Sequence, residues 1–136
     1  MGLFNFFKKQ QPVENDWTKI MPKEMADAFL SIIKENPQAC KSDEIPVGIG
    51  DFGITPTNPV PVYGVPNNEV YLQRLRTSGG DKIRWRRVGT TPADNIVGSI
   101  DDYEIFNLEG STIGHIYICP YHWKTSEKAP EGFKVS

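Results

Sequence analysis

The sequence predicts an α+β fold: one N-terminal amphipathic helix packed on an antiparallel sheet of about four to six strands. Three observations predict it. Apolar residues recur at helical spacing in one early segment, residues 17–36. Runs rich in Val, Ile, Tyr and Trp, broken by glycine turns, fill the later half. Helical and strand patterns stay segregated along the chain instead of alternating.

With 136 residues the chain has enough length for one domain and a modest core. Residues 1–16 read as a weakly ordered lead segment, and 17–136 as a single α+β domain. Within the lead, Leu3, Phe4, Phe6 and Phe7 stand beside Lys8 and Lys9. Aromatics next to lysines can enter a membrane surface, so residues 1–9 are a candidate for weak peripheral contact. No run is apolar and long enough to span a bilayer, and no secretory signal is present, which makes a cytoplasmic protein the expectation.

The helix of 17–36 is marked by Pro22 near its start and Asn36-Pro37 at its end. Met25, Ala28, Phe29, Ile32 and Ile33 form its apolar stripe. Residues 45–68 then carry nine Pro and Gly residues and exclude a helix. Extended pieces at 45–50 and 60–63 are expected there, with the rest wrapping the sheet in an ordered way. Gly48, Gly50 and Gly53 satisfy a G-x-G-x-x-G spacing, yet Pro56 and Pro59 forbid the helix that would hold a phosphate, so nucleotide binding is not expected.

Residues 69–89 carry all five arginines: Arg74, Arg76, Arg84, Arg86 and Arg87. Ser78, Gly79, Gly80 and Asp81 break two apolar runs there, predicting a hairpin of two antiparallel strands. Alternation would put Arg74 and Arg76 on one face and Arg84 and Arg86 together on one face. Residues 90–98 read as a loop. A second hairpin follows, 102–108 with 112–119, turning at Glu109-Gly110, and the tail aromatics Tyr121, Trp123 and Phe133 pin the end of the chain back.

Net charge of −2 argues against a general nucleic-acid binder. The distribution is uneven: residues 74–87 hold six basic groups against one acid, while the remainder is acidic. Arginine forks grip carboxylates bidentately. The leading expectation is therefore a non-enzymatic binding protein whose arginine–aromatic surface meets an acidic partner, a protein as first choice and a small anion as second. Pairing of the arginines with Asp101, Asp102 and Glu104 of the next strand is the competing expectation.

His115, Cys119 and His122 raise a second possibility, a Cys/His-centred enzyme or metal site. Cys119 and His122 can form one ligand pair, but His115 lies four strand residues away, roughly 13 Å at the usual strand rise. Metal is accordingly not expected, nor any other cofactor. Two distant cysteines imply no disulfide framework.

Residues 58–64 (NPVPVYG) with 71–76 (YLQRLR), then Asp102-Tyr103-Glu104, then Tyr121-His122 and 129–133 (APEGF), form a recognisable set. The set, spanning 58–133, resembles a group of small bacterial proteins of unknown function. The resemblance supplies no catalytic residue. It groups Tyr71, Arg74, Arg76, Tyr121 and His122 as candidate binding residues alongside Arg84 and Arg86.

Overall fold

The computed structural model describes residues 16–136. The expectations for residues 1–9 and for the weakly ordered lead lie outside the described residues. The fold is α+β. Its helices are α1 (Trp17–Ile20), α2 (Lys23–Glu35) and α3 (Pro66–Arg74). Its strands are β1 (Val60–Pro61), β2 (Leu75–Thr77), β3 (Arg84–Ala93), β4 (Ile96–Phe106), β5 (Thr112–Cys119) and β6 (Phe133–Val135). A four-stranded sheet runs β1-β5-β4-β3, and β2 pairs with β6 in a separate two-stranded sheet. The large sheet is antiparallel through β3, β4 and β5; only the two-residue β1 runs parallel, beside β5.

The single helix expected over 17–36 is two: α1 stops before the extended Met21 and Pro22, and α2 ends as predicted, where Asn36 turns to extended geometry ahead of Pro37. The buried stripe is Ala26, Phe29, Leu30 and Ile33, packed on Trp17, Tyr63, Tyr121 and Trp123. This is rotated from the expected stripe, and Met25 (52% exposed) and Ile32 (45%) face outward. Gly64 lets the chain pass Trp17. Its φ of +85° is a glycine conformation, and a Cβ there would run into the indole ring.

The main correction concerns residues 69–89. The first half of the expected arginine hairpin is the helix α3. Pro66 occupies its first turn, Glu69 favours the N-terminal end of the dipole, and Arg74 the last turn. Asn68, Tyr71 and Leu72 are fully buried or nearly so, and Tyr71 and Leu72 pack on Tyr103, Ile105, Ile116 and Ile118 of the sheet. Helical packing against the sheet therefore overrides the strand-like run Val70-Tyr71-Leu72. The Gly79-Gly80 turn does form, with the Thr77 N–H donating to Asp81 O at 2.8 Å. The pairing stops after one bridge, Arg76 opposite Lys82. Ile83 then dips into the core at 6% exposure, and β3 leaves to join β4.

The loop expected at 90–98 is also corrected. β3 continues to Ala93 and β4 begins at Ile96, leaving Asp94-Asn95 as the turn. Pro92 is tolerated because β3 is an edge strand and the register shifts between Thr91 and Ala93. The β4–β5 hairpin forms as predicted. Asn107 and Ser111 close its turn, and the Gly110 N–H donates to Asn107 O at 3.0 Å.

Residues 45–59 fold over the sheet as ordered turns. Ile45 packs with Ile100 and Cys119 on one side, and Phe52 joins the main core on the other. Asn95 clasps this loop through Nδ2 bonds to Val47 O and Thr57 O. No helix follows Gly48, Gly50 and Gly53, so the phosphate-cradle reading has no structural support.

Candidate functional site: a basic cleft between β2 and β3

The early parting of β2 from β3 opens a cleft of about 320 Å³ lined by Gln73, Arg76, Lys82, Ile83 and Trp85. A neighbouring hollow shares Ile83 and Trp85 and adds Arg84. Alternation sorts these groups. Ile83 and Trp85 turn toward the α3 side, where Ile83 is buried and Trp85 half-buried; Lys82 and Arg84 take the opposite, exposed side. The result is an indole and an isoleucine flanked by cations.

Arg76 is positioned by its own backbone. Its Nη1 donates to Gln73 O at 2.7 Å and Leu75 O at 2.9 Å. Both acceptors are carbonyls, so the guanidinium keeps its full charge. Among the described residues, no ion pair joins Arg76, Lys82 or Arg84 to an acid. Arg74 lies beside them, its Nε donating to Ser136 O at 3.2 Å.

Two other arginines meet internal acids, as the competing expectation held. Arg86 pairs with Glu104 at 2.5 Å. That bond, with a smaller contribution from Thr112, holds the Glu104 carboxyl below its usual range. Arg87 pairs at 3.1 Å with Asp101, which also accepts Asn68 Nδ2 at 2.8 Å beneath α3. Arg74, Arg76, Arg84 and Arg86 therefore do not form one uniform surface. Arg86 is neutralised on the strand face, Arg84 and Arg76 border the cleft, and Arg74 binds the chain's last residue.

The remaining candidates lie elsewhere. Tyr71 is fully buried, and its hydroxyl donates to Lys128 O at 2.7 Å. Tyr121 borders a shallow groove with Ile32, Glu35, Asn36, Val97 and Gly98. His122 is fully buried, and its Nδ1 accepts the Cys40 N–H at 3.2 Å and lies 3.4 Å from Cys40 Sγ. The ring proton then belongs on Nε2, which is buried without a hydrogen-bond partner among the described residues. Burial lowers the His122 pKa to about 4, so the imidazole is neutral at physiological pH and a poor base.

The H-x3-C-x2-H pattern does not converge. His115 Nδ1 meets Asp102 at 2.7 Å, His122 meets Cys40, and Cys119 Sγ points to Val97 O at 3.8 Å. Burial pushes the Cys119 thiol up to about 12, far from a ready nucleophile. Among the described residues, no group of three or more His, Cys, Asp or Glu is placed to hold a metal. Both cysteines are free. No described helix is long and apolar enough to cross a membrane.

Sequence reasoning missed Lys82 and Trp85 as site residues, and the Cys40–His122 pair. The first two were legible as alternating basic and apolar positions in 82–85. Nothing local links residues 82 positions apart. No protein family, curated protein or solved structure matches this chain.

Proposed function

We propose that this protein is a non-enzymatic binding module that receives an acidic partner, a protein by first choice, in the cleft between β2 and β3. One observation carries the reading: Arg76, Lys82 and Arg84 surround Trp85 without an internal carboxylate among the described residues. Arg86 and Arg87 are already paired and contribute little net field. Forked and point cations beside an indole suit a carboxylate next to an apolar group. The cleft's size, at the low end for ligand pockets, keeps a small anion as the second reading. Two free cysteines fit a reducing compartment such as the cytoplasm.

The test uses fluorescein-labelled poly-glutamate in an anisotropy titration at low salt. The triple variant Arg76→Gln, Lys82→Gln, Arg84→Gln is expected to lose binding at least tenfold, with unchanged circular dichroism. Arg86→Gln with Arg87→Gln is expected to bind within threefold of the parent. Equal losses in the two variants would overturn the cleft as the site. Competition by citrate at millimolar concentration distinguishes the small-anion reading.

A further inference from the structure

The outer edge of β3 suggests how a partner would be held. β3 is the terminal strand of its sheet. Among the described residues, no backbone hydrogen bond beyond the β4 ladder involves Arg84, Trp85, Arg86 or Arg87. Exposed edges are templates for another strand, and proteins blunt them with bulges and prolines. On β3 those devices are unevenly placed. The register shifts between Arg87 and Gly89 and again between Thr91 and Ala93, and Pro92 removes one donor. Residues 84–87 pair with 106–103 without interruption. The regular, unblocked part of the edge is thus the part that borders the cleft.

Side-chain alternation adds a second constraint. Along 82–86 the exposed positions Lys82, Arg84 and Arg86 alternate with the buried Ile83 and half-buried Trp85. Arg76 lies opposite Lys82 in the single bridge and so shares its face. An added strand would place successive side chains on opposite faces. Along 84–87 one set would meet Arg84 and Arg86, with Lys82 and Arg76 next to Arg84 on the same face; the other would meet Trp85, with Ile83 next to it, and Arg87.

We infer that β3 takes up an extended segment of an acidic protein partner by strand addition along residues 84–87, with acidic and apolar side chains alternating. The inference rests on the proposed binding function and specifies its geometry. Charge argues for this occupant. A second copy of the chain laid antiparallel on the same edge would bring arginine against arginine, which is disfavoured. Carboxylates on one face of the incoming strand are matched instead. Main-chain bonds would supply register, and Trp85 with the cations would select the sequence.

Three acetylated, amidated hexapeptides test it by anisotropy and by amide exchange. The first alternates glutamate and leucine. The second has the same side chains with alternate backbone nitrogens methylated. The third has three glutamates followed by three leucines. The alternating peptide is expected to bind at least tenfold tighter than either other one, and to slow exchange at amides within 84–87. Three equal affinities that all fall in the Arg76→Gln, Lys82→Gln, Arg84→Gln variant would overturn strand addition while leaving the acidic-partner reading standing. Affinities indifferent to that variant would overturn both. A homodimer in sedimentation that the peptide dissociates would show a second copy to be the occupant and overturn the inference.

Discussion

The clasp around His122 and the cleft around Trp85 handle polar groups in opposite ways. In the clasp, residues 36–45 are sewn to 121–128. Asn36 Nδ2 donates to Tyr121 O, the Trp123 N–H to Cys40 O, Ser126 Oγ to Asp43 O, and Asp43 Oδ1 accepts the Glu127 N–H. The Glu127 N–H and then Lys124 hold the Asp43 carboxyl below its usual range. These donors find acceptors within the molecule, His122 Nε2 being the buried exception. Around the cleft, three cations face outward and a strand edge is unpaired. Saturated polar groups fix a conformation, whereas unsaturated ones in an exposed hollow are available to something else.

This contrast predicts that the clasp governs stability and the cleft does not. The largest effect is expected from pH. His122 is neutral when folded, with its pKa lowered from 6.5 to about 4. The unfolded chain binds the extra proton first, so stability is full above pH 6.5 and falls as pH drops toward 4. At 1.36 kcal/mol per pKa unit the loss is on the order of 3 kcal/mol. Urea unfolding at pH 7 and pH 4.5 measures it. His122→Asn, whose amide oxygen can replace Nδ1 as acceptor, is expected to flatten that difference. An unchanged pH dependence in the variant would remove His122 as its source.

A middle-sized effect is expected at Asp101, which is buried and joins α3 to the sheet through Asn68 and Arg87. Asp101→Asn removes one acceptor from a buried network and is expected to cost about 1–3 kcal/mol in urea unfolding. The smallest effect belongs to the cleft. Lys82→Gln and Arg84→Gln touch no internal acid among the described residues and are expected to shift stability by less than about 0.5 kcal/mol. A large loss from either change would show that the cleft cations support the fold, and the contrast between the two regions would collapse.

Legibility followed the range of the forces. The end of helix α2 could be read from Asn36-Pro37 because a helix stop is local, while its start, read at Trp17, falls after Pro22. The β4–β5 hairpin could be placed because its turn and its alternating strands are adjacent in sequence. Helix α3 was hidden: Tyr71, Leu72 and Leu75 satisfy helical spacing, but the same run reads as a strand until the sheet beneath it is known. The concentration of arginine was visible, but its division into paired and open groups was not. That division depends on where β3 parts from β2, and so on Ile83 seeking the core. The Cys40–His122 contact has no sequence signature because it is made by two loops meeting.

One wall of the cleft carries a consequence for local opening. Among the described residues β2 is held on its far side by β6, Leu75 opposite Val135 and Thr77 opposite Phe133, and the Ser136 N–H donates to Arg74 O at 2.7 Å. A two-stranded ribbon of three residue pairs is held by few bonds and opens at lower cost than a four-stranded sheet. Fraying of residues 133–136 would loosen residues 75–77 while the large sheet stays closed. Amide exchange at residues 75–77 is then expected to be faster than at residues 103–105 in the middle of β4.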